Sequence, residues 1–206
     1  VTEKRVQGAI TEVKGLLGGD RSVVVRWQSR AVEIGRKAVL TSDVGAALQI
    51  SPTVVRYASV FKIDILQGVL PRLVVDLPAG HSLTQVQGEE IRDWQIRTEG
   101  GRQRLAIEFI KPIEKSYVFT LRTEQPILDP QAGVKIDLPH PQAVERETGR
   151  MTVRAEDVVL EAEVLTGLRQ INAEAGAVAA YQFHAGDFDL KLKMRRIEPV
   201  IAAEDR

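Results

Sequence analysis

The chain has 206 residues, no cysteine, and 28 basic residues against 28 acidic ones. Disulfide frameworks, thiolate zinc sites and cysteine nucleophiles are thereby excluded, and a formal charge of zero supplies no field to hold the chain on nucleic acid or an anionic membrane. The length suits one large β domain or two small ones, no apolar run approaches the roughly 20 residues that insert into a bilayer, and no signal-peptide pattern opens the sequence.

From the N-terminus, Val6, Ile10, Val13 and Leu17 have helical spacing, yet Gly8 and Gly15 would each cost a helix interior about 1 kcal/mol. A strand over 5–17 is preferred, with helix as the alternative. Gly18-Gly19-Asp20-Arg21 reads as a turn, and the alternation of Val23, Val25 and Trp27 over 22–31 completes a hairpin. Residues 32–50 are less regular, with breaks expected at Gly35 and Gly45 and a short strand at Val39-Leu40. The centre of the chain is clearer. Val55, Tyr57, Phe61, Ile63 and Ile65 recur at every second residue, skipping Ser59, which is the period of a strand with one wet face. The pattern then turns at Gln67-Gly68, runs through Leu73, Val75 and Leu77, turns at Pro78-Ala79-Gly80, and reaches residues 91–97 with Trp94 and Ile96 on the inward side. This predicts an antiparallel meander on one side of a core.

Glu99-Gly100-Gly101-Arg102 makes a tight reversal. Leu105, Ile107 and Phe109 follow on the inward face, and Pro112 ends that strand or puts it at an edge. Tyr117, Phe119 and Leu121 form the next row. Pro126, Pro130 and Gly133 mark a connection that divides residues 1–128, with the central meander, from a second β-rich half, 129–206, packed on the first as one unit. The halves share an echo. Asp76-Leu77-Pro78 is followed by Gly88, and Asp137-Leu138-Pro139 by Gly149 at the same interval, which hints at two related halves. The last strand alternates most cleanly, with Phe188, Leu190, Leu192 and Met194 opposed to Asp189, Lys191, Lys193 and Arg195. The predicted class is all-β, a large antiparallel β-sandwich built from meanders and hairpins.

Chemistry is harder to find. His81, His140 and His184 fall in turns and loops with no ligand spacing, so they read as exposed loop histidines, and neither a metal site nor a cofactor is expected. No Gly-x-Ser-x-Gly elbow and no phosphate-binding glycine loop occurs. Glu89, Glu90, Asp93 and Trp94 put three carboxylates beside an aromatic platform, the ingredients of a glycan site. In a strand, however, Asp93 and Trp94 point to opposite faces, and turn duty or local backbone bonding explains the acids. The aromatic residues lie mostly on inward parity, which leaves few to stack on sugars.

The order Leu77-Pro78-Ala79-Gly80, Val86-Gln87-Gly88, Asp93-Trp94, with the Tyr181-x-Phe183 and 188–199 segments at the end, resembles uncharacterised β-sandwich modules of long bacterial envelope-associated proteins. The resemblance implies a non-catalytic module in a periplasmic or cell-surface setting. A start at Val1 and a charged end at Ala202-Ala203-Glu204-Asp205-Arg206 suit a segment of a larger polypeptide. The expected function is therefore a structural or interaction module, not an enzyme. Its partners would be other domains of the same parent chain or envelope proteins, met through strand edges or mixed-charge faces such as Lys191, Lys193 and Arg195. The alternative is a glycan-binding or glycan-hydrolysing domain using Glu89, Glu90, Asp93 and Trp94. A Trp94 buried in the core favours the first reading, and one exposed beside a cleft with the acids favours the second.

Overall fold

A computed structural model of the chain describes residues 3–7, 10–14 and 38–196, and every regular element among them is a β-strand. The chain divides into two units, residues 1–36 and 37–206. In the first, β1 (Glu3–Gln7) and β2 (Ile10–Lys14) pair antiparallel with Val6 opposite Thr11. The preference for strand agrees with these two elements, but where a single strand was expected the described residues form two strands that pair with each other. The turn predicted at 18–21, the strand over 22–31 and the break at Gly35 lie outside the described residues.

The second unit opens with β3 (Val39–Ile50), which runs without interruption through Gly45. The expected break does not occur because period two persists: Leu40, Ser42, Val44, Ala46, Leu48 and Ile50 are all buried. Gly45 sits on the opposite face, where an added Cβ would meet nothing within 4 Å. Then follow β4 (Val54–Gln67), β5 (Leu70–Leu77), β6 (Ser82–Gly88), β7 (Ile91–Glu99), β8 (Arg102–Ile113) and β9 (Ser116–Pro126). The later strands are β10 (Val134–Ile136), β11 (His140–Pro141), β12 (Val144–Ala155), β13 (Val158–Thr166), β14 (Leu168–Ile171), β15 (Ala179–Phe183) and β16 (Asp189–Arg196).

These strands form a seven-stranded sheet, β14-β15-β12-β3-β4-β9-β6, a four-stranded sheet, β11-β5-β8-β7, and a three-stranded sheet, β10-β16-β13. The fold is all-β and of sandwich type. The central segment is not a one-sided meander, however. β4, β5, β6 and β7 do not pair with one another: β4 and β6 flank β9, whereas β5 and β7 flank β8 in the other sheet. Its turns carry the chain from sheet to sheet, and Gly68 and Gly80, both at φ +79°, supply the left-handed backbone two of them need. A second departure is the pairing of β3 with β12, which is parallel. Strands so distant in sequence are free of the short connection that forces neighbours antiparallel.

Inward side chains from all three sheets of this unit meet in one core. Tyr57, Phe61, Ile63, Leu105, Ile107, Phe119 and Leu121 are all buried. Phe61 lies opposite Phe119, and their rings stack with centroids 4.8 Å apart. Ser59 continues the buried face of β4 at 1% exposure, and its hydroxyl has no hydrogen-bond partner there.

Two substitution tests follow from this packing. Ser59→Ala removes an unpaired buried hydroxyl and should raise the urea midpoint, a gain of about 1 kcal/mol; a loss of that size would mean that the hydroxyl is paired. A Cβ at Gly149 of β12 would lie 2.5 Å from the Val44 carbonyl oxygen and run into the Phe183 ring. Gly149→Ala should therefore cost about 1–3 kcal/mol, whereas Gly45→Ala in the adjacent strand should stay within about 0.5 kcal/mol of the parent. Equal costs at both positions would contradict the close approach of β12 to β3.

Candidate functional site

Glu89 and Glu90 form the connection between β6 and β7. Glu90 adopts φ +58°, a left-handed conformation uncommon outside glycine, and both residues are fixed through their backbones. The Ile110 amide donates to the Glu90 carbonyl at 2.8 Å, and the Tyr117 hydroxyl donates to that of Glu89 at 2.7 Å. The preceding Gly88 cannot carry a side chain, because a Cβ would run into that hydroxyl. The Glu90 carboxylate pairs with Lys111 at 3.2 Å. Burial first, then the charges of Glu89 and Glu90, push the Tyr117 phenol up to about 12. A hollow of about 680 Å³ is lined by Glu89, Glu90, Tyr117 and Ile113.

Asp93 and Trp94 do not line that hollow. They border a separate one of about 10 Å³ with Arg72, Arg97 and Glu108. The Asp93 carboxylate accepts the Trp94 backbone amide at 2.8 Å and the Gln95 side-chain amide at 3.4 Å, so it is engaged locally, as its position in the sequence suggested. The four candidate residues thus fall into two pairs with separate linings.

Trp94 corrects the expectation of a buried ring. Trp94 lies opposite Ile107, itself opposite Leu73, and Ile96 lies opposite Leu105, itself opposite Val75. Cross-strand partners share a face, so the inward parity was read correctly. Yet β7 is the last strand of its sheet, and the rows run past the covered region: Trp94 is 43% exposed and Ile96 41%. The core rows end in a partly exposed apolar margin beside a strand edge that no other strand among the described residues pairs with.

The histidines hold the main surprise, since two of the three are not exposed. His81 is 3% exposed, with its ring 4.5 Å from that of Tyr57 and its Nδ1 3.1 Å from the Thr123 hydroxyl. Burial lowers it to about 4, against smaller opposing effects of Asp137 and Gln125. Tyr57 donates to the Gln125 side-chain oxygen at 2.6 Å, and burial, with the charge of Asp137, pushes its phenol well above the usual value. His140, half-buried, lies between two acids: its Nε2 is 3.4 Å from Asp137 and its Nδ1 3.1 Å from Glu147. Donation through both ring nitrogens requires the imidazolium. Burial opposes that charge, but the two carboxylates outweigh it and raise His140 to about 9. Asp137, despite its own burial, is held below the usual carboxylate range by His140 and by the Leu138 amide. His184 is exposed, as expected. Asp137 and His140 lie three residues apart, but Glu147, His81 and Thr123 join them only through folding. Among the described residues no group of three or more such side chains is placed to share a metal ion.

No protein-family model matches the chain, and no curated protein matches it. Among solved structures it is similar to a mutant M1 zinc metallopeptidase from Deinococcus radiodurans, at 14% identity and TM-score 0.45, covering 75% of this chain and 42% of that one. The M1 zinc metallopeptidase from the same organism matches at 13% identity, TM-score 0.45 and the same 75% and 42% coverage. This chain thus spans about two fifths of the length of those chains. A likeness of this degree carries no activity across.

The buried His81 and the half-buried His140 give stability a pH optimum. His140, raised to about 9, contributes stability that is complete below the ordinary value near 6.5 and is lost as pH rises through about 9. His81, lowered to about 4, favours the neutral ring, so stability is lost as pH falls from about 6.5 towards 4. Urea unfolding should be most difficult near pH 6.5, with an alkaline loss on the order of 2 kcal/mol. His140→Gln should flatten the alkaline limb and leave the acid limb in place. An alkaline limb that survives this substitution would remove His140 as its source.

Proposed function

We propose that the chain is a non-catalytic structural and interaction module of a larger bacterial envelope or surface protein, and that it meets its neighbours along β7. The observation that supports this reading is the partly exposed apolar margin of Trp94 and Ile96 beside a strand edge left unpaired among the described residues. Edges of this kind accept an added strand, and apolar side chains on one parity give the pairing its specificity. The partners would be other domains of the same parent chain or envelope proteins. The periplasmic or cell-surface setting rests on the resemblance carried by Leu77–Gly80, Val86–Gly88 and Asp93-Trp94.

The mixed-charge face of Lys191, Lys193 and Arg195 is a weaker surface. Both lysines bind Glu163, at 2.8 and 3.1 Å, so a partner would have to displace that carboxylate.

A glycan-binding or glycan-hydrolysing domain is the second reading, and the exposure of Trp94 beside Asp93 favours it. Against it, Glu89 and Glu90 line a different hollow, and the space beside Trp94 is about 10 Å³, far below the few hundred Å³ of ordinary ligand sites.

The two readings separate on the fluorescence of Trp94 in a Trp27→Phe background. For the module, emission starts at the long wavelength of an exposed indole and ignores soluble glycans and peptidoglycan fragments. It then moves to shorter wavelength when neighbouring domains of the parent polypeptide or purified envelope proteins are added. A saturable shift with one glycan would replace the module reading by the carbohydrate one. Trp94→Ala, at a partly exposed site, should cost well under the roughly 3–5 kcal/mol of a buried tryptophan.

A further inference from the structure

The outward face of the seven-stranded sheet carries a hollow of about 220 Å³ that is independent of β7. Strand register explains its shape. One row across the sheet reads Arg154, Gln49, Arg56, Glu124, and the next reads Thr152, Ala47, Ala58, Arg122. Ala47 and Ala58 are too short to fill the space between the long side chains around them, and this leaves a trough with arginines at both ends.

Charge pairing on this face is uneven. Arg56 is paired with Glu124 at 3.1 Å, Lys62 with Asp64 at 3.4 Å and Arg150 with Glu174 at 3.3 Å. Gln49 is tied to Glu156 at 2.9 Å. Arg122 and Arg154, both lining the hollow, have no carboxylate within ion-pair distance among the described residues. They stand three strand steps and one row apart, on β9 and β12, which is roughly 16 Å at about 4.8 Å per step and about 3.4 Å per residue. Long stems let both guanidinium groups lean over the alanines. The guanidinium fork matches a carboxylate or a phosphate in two-point geometry.

We propose that this trough binds a small, slim dianion with a carboxylate or phosphate at each end, one on Arg154 and the other on Arg122. The neutral middle of the ligand lies over Ala47 and Ala58. Arg56, already neutralised by Glu124, adds direction rather than net charge at the Arg122 end. Two separated oxyanions are needed because one alone leaves an arginine unmatched.

The test is calorimetric titration of the whole chain at constant ionic strength with adipate, with a bisphosphonate of matched chain length, and with butyrate as the single-ended control. Saturable binding of at least one dianion is expected, at least tenfold tighter than butyrate. Arg122→Gln and Arg154→Gln, both exposed and expected to keep the parent unfolding midpoint, should each weaken it at least tenfold, whereas Lys193→Gln should not. Preference for adipate would assign the site to acidic glycans or peptide carboxylates, and preference for the bisphosphonate to phosphorylated ligands. No saturable binding of either dianion up to about 10 mM, equal binding of butyrate, or undiminished binding by both arginine variants would overturn the proposal.

Discussion

The parallel ladder between β3 and β12 is the constraint on which the second unit depends. β3 has the hairpin partner β4 on one side, with β9 and β6 beyond it, and on the other side β12, with β15 and β14 beyond. No short turn enforces this contact, so its register from Thr41 opposite Arg146 to Ile50 opposite Ala155 has to be set by packing. Gly149 allows that packing, lying against the Val44 carbonyl and the Phe183 ring. His140 ties the same strand to the other sheet: it bonds Glu147 of β12 while its own strand, β11, pairs with β5 opposite Asp76. A half-buried charge cluster therefore joins two sheets at the point where the chain returns from its second half to its first.

The strands themselves were largely legible, because alternation is a local property. The buried rows of β4, β8 and β9 are the residues that period two selects, and Leu190 and Leu192 of β16 are buried as that pattern requires. Sheet membership was not legible. Nothing in 53–97 distinguishes a meander within one sheet from strands dealt alternately to two, since both need the same alternation and the same turn residues. Gly45 misled for a related reason: a glycine on the wet face of a long strand looks like punctuation until a continuous buried row is seen behind it. Trp94 shows the limit most clearly. Parity says which way a side chain faces, but whether anything covers it depends on where the opposite layer ends.

The repeated Asp-Leu-Pro corner has a physical content that sequence could only hint at. The two corners are neighbours in space, with His140 opposite Asp76 and Pro141 opposite Val75. Leu77 and Leu138 are both buried, and the glycine that follows each corner lies where an aromatic residue leaves no room for a Cβ, Tyr117 at Gly88 and Phe183 at Gly149. The same local solution, a buried leucine at the corner followed by a strand that passes under an aromatic, serves both halves. The candidate site was less visible than the corners. His81 and His140 each follow a Pro-containing turn, yet folding drives them in opposite directions. His81 loses water and gains only neutral side-chain partners and the charge of Asp137, whereas His140 loses water but gains two bonded carboxylates. Asp137 acts on both rings, but it bonds His140 directly, and together with Glu147 it keeps that ring charged.

A chain with equal numbers of acids and bases can satisfy its charges internally, and much of this one does. Lys191 and Lys193 share Glu163, Arg104 holds Asp76, and His140 is enclosed by its own acids. Such pairs contribute little stability at a surface, but they neutralise the faces on which they lie, and a neutralised face offers little to a partner. Contact is then directed to what internal pairing leaves over. Part of what is left is apolar, including the margin of Trp94 and Ile96, which no ion pair can neutralise. Part is cationic, including Arg122 and Arg154, whose guanidinium groups have no carboxylate within ion-pair distance among the described residues. The two lie on different sheets and call for different chemistry, so occupying one does not satisfy the other. On the proposed reading, the module would hold a neighbouring domain at the first surface and an anionic ligand at the second.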